Sequence, residues 1–398
     1  MSAEPQNPVL NVAIAGCGSI GRTHAASVGE LPELRVTALV DEIMESADAL
    51  ALHIEEHGAA RPATFGSLAE AFAGADVDLV IIATPSGLHI QQALEVLDAG
   101  KHVLIEKPLD VNLDRADEIL AAAKAAEEKG LVASVISQHR FDPASIIVDE
   151  ARRTGRFGRL TSAIASVSWY RSQGYYDSGA WRGTWAMDGG GAVMNQGVHT
   201  VDLLLWFLGR PVEISAKTAL LAHTDVEVED TAVATVTFES GALAVLHATT
   251  AAYPGLTVRL QVMGSKGSAV IDNDNLEYFH AAGSDAETQS GPMGLRGAGN
   301  QAEAELARFA EPPVQTNIDP TLYPAGHIRQ YRDVVEAIRN GRPAGVTIHD
   351  AVTALATVRA LYVSATLGRP VLIADVVAGK YNDVEVRTGN GHLEEVTA

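Results

Sequence analysis

Residues 9–26 read VLNVAIAGCGSIGRTHAA, an apolar strand pattern that runs directly into three spaced glycines and then into a helical pattern. This is the glycine fingerprint of a dinucleotide-binding βαβ unit: the first glycine permits a tight turn, the second admits a pyrophosphate, and the third allows close helix packing. A chance strand-to-helix turn is the alternative. The pattern predicts cofactor contacts from Gly16, Gly18, Ser19, Ile20 and Gly21.

Asp41 identifies the dinucleotide. It follows the second predicted strand, LRVTALV, about 20 residues after the glycine turn, which is the distance at which an acid binds the ribose hydroxyls of NAD. Asp41 and Glu42 would repel the 2′-phosphate of NADP, and no Arg or Lys lies between Asp41 and Ala60. We therefore predict NAD as the cofactor, with an acidic turn residue as the alternative interpretation.

The periodicity of the chain predicts an α/β protein of two domains. Short β-branched runs alternate with helical patterns up to residue 140, which is typical of a Rossmann doubly wound parallel sheet. Longer alternating segments follow, such as residues 160–169, 231–238 and 242–249, and these indicate an antiparallel or mixed sheet. We predict an NAD-binding domain over residues 1–140 and a substrate-binding and oligomerisation domain over residues 141–398.

The composition excludes several classes of partner. The 398 residues carry 50 acidic and 29 basic side chains, a formal charge of -21 that would repel nucleic acids and anionic membranes. The single cysteine, Cys17, excludes internal disulfides and cysteine-based zinc sites. The N-terminal residues lack the pattern of a signal peptide, and no apolar run has membrane-spanning length. We expect a soluble, cytoplasmic protein.

Two further strand ends belong to the predicted cofactor crevice, because ligands of open parallel sheets bind beyond the carboxyl ends of the strands. One is ATPSGLH, residues 83–89, and the other is EKP, residues 106–108. Pro108 disfavours helical angles at Lys107, so the lysine stays at the strand terminus. An ordinary turn lysine is the alternative. The residues predicted to contact the cofactor here are Thr84, Pro85, His89, Glu106 and Lys107.

A glycine run, residues 189–191, leads into the apolar helix AVMNQGVHTVDLLLWFLG. Its polar residues Asn195, His199 and Asp202 are spaced i, i+4 and i+7, which places them on one helix face. A histidine can take a hydroxyl proton, and a lysine can stabilise the alkoxide that develops as hydride leaves. We predict His199 as the base, Lys107 as the oxyanion partner and Asn195 as a positioning group. A core histidine bonded to Asp202 is the alternative.

The motifs GCGSIG, ATPSGLH, EKPL, WRGTW and GGGAVMNQGVHTVDLLLW together resemble the Gfo/Idh/MocA family of sugar and inositol dehydrogenases. The resemblance implies that Lys107 is the catalytic lysine and His199 the acid/base histidine. It also implies a large open, mostly antiparallel sheet in the second domain, through which a homodimer or homotetramer forms. Asn195 replaces an aspartate typical of inositol dehydrogenases and is similar to the residue of nucleotide-sugar 3-dehydrogenases. Because an amide cannot relay a proton, His199 is favoured as the base.

The segment SWYRSQGYYDSGAWRGTWAMD, residues 168–188, supplies rings and hydroxyls that suit a sugar. From it we predict substrate contacts by Tyr176 and Arg182, with Tyr253 and His327 as weaker candidates. Lys107, Asn195 and His199 complete the predicted substrate site. No His, Asp and Glu set has the spacing of metal ligands, so we predict no metal, and we expect His223 and His247 to face solvent. Residues 281–326 are a candidate for a mobile segment or an oligomer contact.

The sequence thus predicts an NAD-dependent dehydrogenase acting on CH-OH groups, which transfers a hydride from a secondary alcohol of a sugar, polyol or sugar derivative. An enzyme that cleaves glycosides or epimerises sugars through transient NAD reduction is one alternative. A sugar- and dinucleotide-sensing regulator on the same fold is another, and the presence of both Lys107 and His199 argues against it.

Overall fold

The computed structural model describes residues 8–179, 181–282, 299–309 and 324–389, and the chain forms two compact units. The first unit comprises Met1–Asp110, Arg115–Gln138 and Pro313–Val352, and the second Val111–Asp114, His139–Pro312 and Thr353–Ala398. A single boundary at residue 140 would leave the helix Pro324–Asn340 in the second domain. In the structure this helix packs on the first helix of the first unit, so its apolar face belongs to that unit's core.

The first unit contains a six-stranded sheet whose strands are all parallel. Its order is β3-β2-β1-β4-β5-β6, the doubly wound order of a Rossmann fold. The residues of β4 and the last three of β5 are buried, as expected of strands covered on both faces. The strands are β1 (Leu10–Ala15), β2 (Leu34–Val40), β3 (Ala63–Phe65), β4 (Leu79–Ile82), β5 (His102–Ile105) and β6 (Ala133–Val135).

Helices connect these strands and cover the sheet. They are α1 (Ser19–Gly29), α2 (Met44–Glu56), α3 (Leu68–Gly74), α4 (His89–Asp98) and α5 (Ala116–Glu127), together with Pro324–Asn340, which is α10 in chain order. Helix α1 follows the glycine turn and packs between β2 and α10. The core beneath α1 and α10 includes Ile14, Val28, Ile81 and Tyr331, all nearly inaccessible to solvent.

The second unit is built on an eight-stranded sheet of order β13-β12-β11-β7-β10-β9-β8-β14. Only the central pair, β7 and β10, is parallel among these described strands, and the other neighbours are antiparallel. The predicted fold class is therefore confirmed. The strands are β7 (Leu160–Ser168), β8 (Pro211–Ala219), β9 (Thr231–Phe238), β10 (Leu243–Thr249), β11 (Val258–Gly264), β12 (Gly267–Asp272), β13 (Asn275–Ala281) and β14 (Val371–Leu372).

Helices cover one face of this sheet, and no helix of the described residues covers the other, which we call the open face. The helices are α6 (Pro143–Arg153), α7 (Gln173–Asp177), α8 (Val198–Leu208), α9 (Ala302–Ala307), α11 (Ile348–Leu367, which begins in the first unit) and α12 (Ile373–Val377). Helices α6 and α8 pack against β7, β11, β12 and β13. On the open face, Ile164, Val233, Leu243 and Val245 are each at least 40% exposed. Cross-strand pairing places Ile164 beside Val245 on that face.

The sequence patterns did not predict β3, β12, β13 or β14. Strands β3 and β14 have three and two residues, too few for a period to be recognised. Strands β12 and β13 form a hairpin whose turn residues Asn273 and Asp274 both have positive φ. Asn and Asp are typical of such two-residue turns, so this pair of residues could have indicated the hairpin. Of the candidate oligomer contact at residues 281–326, the stretches 283–298 and 310–323 lie outside the described residues. No helix in the described ranges is long and apolar enough to cross a membrane.

Candidate active site

The glycine turn between β1 and α1 has the backbone that a dinucleotide requires. Gly16 has φ +95°, and a Cβ there would overlap the carbonyl oxygen of Ala83. A Cβ at Gly21 would overlap the carbonyl oxygen of Gly16, so helix and strand lie in close contact. Gly18 has open space where a Cβ would be, and it is exposed together with Ser19 and Ile20. The turn is therefore closed toward the protein and open toward a ligand.

The amino end of α1 and the side chain of Asp41 adjoin this opening. No side chain caps the N-terminus of α1, so its first N–H groups can bind a pyrophosphate. Asp41 accepts hydrogen bonds from the Cys17 N–H (2.8 Å) and the Ile43 N–H (2.9 Å). Each carboxylate oxygen keeps a second lone pair for a ribose hydroxyl. Burial and the nearby Asp41 charge raise the pKa of Cys17 to about 12, so its thiol stays neutral.

Three predicted cofactor residues follow β4: Thr84 and Pro85 in the loop and His89 at the first position of α4. The first two are accessible to solvent, and His89 is buried. Thr84 is half-buried and donates to Gln92 Oε1 (2.6 Å), and Pro85 is exposed. His89 is only 1% exposed, and its ring nitrogens lie 2.8 Å from the Pro108 carbonyl oxygen and 2.9 Å from that of Thr84. His89 thus links the loops after β4 and β5. Its burial favours a supporting role over the predicted cofactor contact.

Glu106, at the end of β5, is the centre of a buried cluster. Its Oε1 lies 3.0 Å from His24 Nε2 and 3.7 Å from His327 Nε2, and the Tyr331 hydroxyl lies 2.7 Å from His24 Nδ1. Its other oxygen, Oε2, accepts the backbone N–H of Lys107 (2.9 Å). Glu106 therefore faces the interior and fixes the backbone of the half-buried Lys107. This burial favours positioning over the predicted cofactor contact, and it gives the buried His327 a partner within the first unit.

The cluster holds Glu106 ionised. Burial by itself would raise the pKa of Glu106, but the adjacent ring nitrogens of His24 and His327 and the charge of Lys107 keep it well below its usual range. Burial lowers the pKa of His24, against the opposing effect of Glu106. The chemistry is therefore that of a carboxylate facing the neutral imidazole of His24. Sequence reasoning missed this cluster because His24 and Tyr331 are 307 residues apart.

In the second unit, Asn195 and His199 lie near the start of the segment that was predicted as an apolar helix with a polar face. Residues Ala192–Gly197 form a π-helical turn, and the α-helix α8 begins at Val198. The predicted α-helical i, i+4 relation between Asn195 and His199 is therefore corrected, because the π turn contains more residues than an α turn. His199 and Asp202 both lie in α8. Asn195 and His199 are each half-buried within an otherwise buried segment.

Glu229, a residue that sequence reasoning missed, holds the start of this helix. It is completely buried, and it accepts the N–H groups of Gly191 and Val193 (both 2.9 Å) and the hydroxyl of Tyr362 (3.0 Å). A Cβ at Gly191 would overlap the Glu229 carbonyl oxygen, which explains the glycine there. Burial raises the pKa of Glu229 to about 7, although its hydrogen bonds act in the opposite direction.

Two charged groups support α8 from the segment before α6. Arg140 donates to both carboxylate oxygens of the buried Asp202 (2.7 and 2.5 Å), so Asp202 has a structural ion pair. The ring of His139 lies edge-on to that of His199, with their centres 5.0 Å apart. Burial opposes protonation of His139, but Asp142 and Asp274 outweigh it and raise its pKa to about 10. His139 is thus positively charged beside His199.

The remaining predicted substrate residues fall into different settings. Tyr176 is buried, and its hydroxyl bonds Thr250 Oγ1 (2.9 Å), so packing accounts for it. Arg182 is half-buried against aromatic rings, and Tyr253 is 78% exposed. The expectation that His223 faces solvent is wrong, because it is buried and its Nδ1 lies 3.0 Å from Asp230. His247 is half-buried and bonds Ser166 (3.0 Å).

Folding brings together two sets of potential metal ligands that sequence spacing could not indicate. One is the cluster of His24, Glu106 and His327, and the other is His139 with its two carboxylates. In both sets, ring nitrogens lie about as far from carboxylate oxygens as in hydrogen bonds: 3.0 Å for His24 to Glu106 and 2.9 Å for His139 to Asp274. Imidazole–carboxylate contacts at these distances account for both arrangements, although His24 Nε2 and Glu106 Oε1 do not have the angles of a hydrogen bond.

Comparisons with known proteins agree with the geometry. Residues 10–136 match the model "Oxidoreductase family, NAD-binding Rossmann fold", and residues 147–270 match "GFO/IDH/MocA C-terminal domain". The chain is 28% identical to the uncharacterised oxidoreductase YrbE of Bacillus subtilis over 316 residues, covering 75% of this chain and 84% of that protein. It is 25% identical over 365 residues to the inositol 2-dehydrogenase of Rhizobium meliloti, covering 91% and 98%.

Among solved structures, the WlbA dehydrogenase of Bordetella pertussis, in complex with NADH and UDP-GlcNAcA, superposes with a TM-score of 0.77 at 27% identity. That match covers 93% of this chain and 99% of the other. The two family models cover the whole first sheet and strands β7 to β11 of the second, and the open glycine turn with Asp41 beside it fits an NAD molecule. The chain is an NAD-binding oxidoreductase and belongs to the GFO/IDH/MocA family.

Proposed function

We propose that the protein oxidises a secondary alcohol of a sugar, polyol or sugar derivative. His199 takes the hydroxyl proton, Lys107 stabilises the developing alkoxide, and Asn195 holds the substrate or the imidazole in place. NAD, when bound, accepts the hydride from the same carbon. The observation that carries the proposal is Lys107 at the carboxyl end of β5, where ligands of such sheets bind, with its backbone held by the buried Glu106.

The surroundings of His199 support its role as a base. The ring of His199 packs edge-on against the ring of His139, with their centres 5.0 Å apart, and this contact helps to orient it. The ion pair between Arg140 and Asp202 fixes α8, so His199 is presented from a rigid element. The half-buried position of His199 leaves part of its ring open to a substrate.

The substrate class follows from the relatives. One relative is named an inositol dehydrogenase, and the WlbA structure contains a nucleotide sugar. Asn195 cannot relay a proton, so the proton of the substrate hydroxyl passes to His199 and onward to solvent. We assign Gly16, Gly18 and the N-terminus of α1 to the cofactor pyrophosphate, and Asp41 to the ribose.

An NAD-reduction screen tests this function. The full chain is incubated with NAD and inositols, aldoses, glycosides or nucleotide sugars, and absorbance at the NADH band is followed. For an active compound, we expect His199→Ala and Lys107→Ala each to lower kcat by about 10²- to 10⁴-fold. NAD binding, measured by fluorescence titration, should be unchanged in His199→Ala. Full activity in either variant would contradict the proposed mechanism.

We also propose that the open face of the second sheet forms a homodimer or homotetramer. Ile164, Val233, Leu243 and Val245 give this face an exposed apolar centre, and contiguous patches of this kind mark interaction sites. Light scattering on a size-exclusion column measures the mass of the assembly. We expect Val245→Glu to reduce the measured mass to that of a monomer. Val212→Glu, at the second residue of β8, should have a smaller effect. A monomeric wild-type protein would refute the proposal.

A further inference from the structure

Two arginines in the segment between β7 and the π-helical turn are held on aromatic rings. The Cζ of Arg182 lies 4.4 Å from the centre of the Tyr175 ring and 4.3 Å from that of Trp181. The Cζ of Arg171 lies 5.3 Å from the same Tyr175 ring and 5.1 Å from the ring of Trp169. We call these five residues the Arg–aromatic stack. Its two cations share the Tyr175 ring, so their Cζ atoms lie less than 10 Å apart.

The backbone beneath the stack is well anchored. The Arg171 N–H donates to the Thr250 carbonyl (2.8 Å), and the Arg171 carbonyl lies 2.8 Å from His223 Nε2. The buried Tyr176, next to Tyr175, bonds Thr250 through its hydroxyl. Guanidinium groups held by rings on such a base lose little freedom when they bind a ligand. The stack is therefore preorganised.

The charges of the stack have no carboxylate partner among the residues that the structure describes. Within the described ranges, no acidic side chain forms an ion pair with Arg171 or Arg182, whereas Arg140 and Arg156 pair with Asp202 and Glu305. The side chain of Arg171 donates only to the carbonyl of Tyr170 (3.2 Å) among those residues. The rings stabilise the two cations by cation–π attraction but leave their N–H donors available. In a chain with a formal charge of -21, such a pair is a local site for an anion.

The stack lies at the same edge of the second sheet as the segment that carries Asn195. Strands β7 and β10 end at Ser168 and Thr249, directly before residues that hold the stack. Strand β9 begins at this edge, and the Ala192 N–H at the start of the π turn donates to the Glu229 carbonyl just before it (3.0 Å). A ligand bound at this edge can therefore contact both elements.

We propose that the Arg–aromatic stack binds an anionic group of the substrate, a carboxylate or a phosphate, so that the substrate is an acidic or phosphorylated sugar. This inference rests on the proposed function, since it concerns the substrate of the same site. A guanidinium presents paired N–H donors that match the oxygens of both groups, and the aromatic faces suit the ring of a sugar. Neutral polyols lack the group that these donors recognise.

Calorimetric binding to the full chain loaded with NADH tests the proposal without turnover. The probes are D-glucose, D-glucuronate, D-glucose 6-phosphate and UDP-D-glucuronate, which separate a carboxylate, a phosphate and a nucleotide diphosphate. We expect at least one charged compound to bind tenfold or more tightly than glucose. Arg182→Gln and Arg171→Gln should each weaken that compound by roughly 10- to 100-fold, as for a lost charge-assisted hydrogen bond.

The matched control is Arg210→Gln, because Arg210 is 66% exposed, pairs with Glu239 and lies outside the stack. It should leave every affinity unchanged, and melting temperatures will show that all variants fold. Equal binding of neutral and charged probes, no binding by any charged probe, or equal losses in the control would overturn the proposal. Because binding needs no hydride transfer, charge-selective binding by an inactive protein would refute the proposed function and leave this inference standing.

Discussion

Replacing Tyr331 by Phe should destabilise the first unit through a single lost hydrogen bond. The Tyr331 hydroxyl lies 2.7 Å from His24 Nδ1, and both side chains are fully buried. Glu106 is ionised and faces His24 Nε2, so that nitrogen carries the proton and Nδ1 must accept one. The Tyr331 hydroxyl is therefore the donor. Its removal leaves a buried nitrogen unpaired, and no apolar contact of the ring is lost.

An unpaired buried acceptor costs about 1–3 kcal/mol, so we expect Tyr331→Phe to lower the free energy of unfolding by about 2 kcal/mol. For a unit of this size that corresponds to a fall in melting temperature of about 4–8 °C. Amide hydrogen exchange in β1 and β4 reports the stability of the first unit alone. Both strands are buried in its core, so their slowest amides exchange through unfolding of that unit.

The matched control is Tyr278→Phe in β13. Tyr278 is half-buried, and within the described residues its hydroxyl forms no hydrogen bond. We expect a change of less than about 0.5 kcal/mol in this variant. If Tyr331→Phe exchanged as slowly as wild type, the assigned proton positions on His24 would be wrong. The same result would show that the stability of the Glu106 cluster does not depend on the Tyr331 hydroxyl.

Three other predictions concern charges. The pKa of Glu229 is raised from 4.5 to about 7, so its contribution to stability is complete below pH 4.5 and about 3 kcal/mol of it is lost as the pH rises through 7. Glu229→Gln should lack this loss. An equal fall in melting temperature between pH 5 and pH 8 in both proteins would contradict the prediction. Arg140→Met should cost about 3–5 kcal/mol in urea unfolding by removing the guanidinium partner of the buried Asp202, and adding Asp202→Leu should restore most of that loss. Asp41→Ser should lower the preference for NAD over NADP by roughly tenfold in kcat/KM, and an unchanged ratio would argue against its ribose contact.

The parts of the structure that could be predicted from sequence are those set by local patterns. The strand ending at Ala15, the glycines that follow it and Asp41 lie within one βαβ unit, where spacing determines geometry. Asn195 in the π turn and His199 and Asp202 in α8 were likewise apparent as polar exceptions in an apolar segment. Their exact relation was not, because nothing in the local sequence distinguishes a π turn at Ala192–Gly197 from an α turn.

The supports of the site could not be predicted, because their partners are distant in sequence. Glu229 meets Gly191 across 38 residues and Tyr362 across 133. The pattern around Glu106 indicated a strand end but not that its carboxylate points inward to α1 and α10. Buried polar groups are satisfied by tertiary packing, and a single sequence contains no record of which distant donor satisfies which acceptor.

The π turn at Ala192–Gly197 has a consequence for how this protein could change its specificity. A turn of this kind holds an extra residue, so a deletion of one residue could convert it to regular α-helix. Because Arg140 anchors α8 through Asp202, the rotation would be confined to residues upstream of the anchor. The side chain at position 195 would then swing by about 100° around the helix axis, and a neighbour would take its direction. A change of chain length alone could thus exchange the amide that we propose as a substrate contact, with every residue of α8 retained.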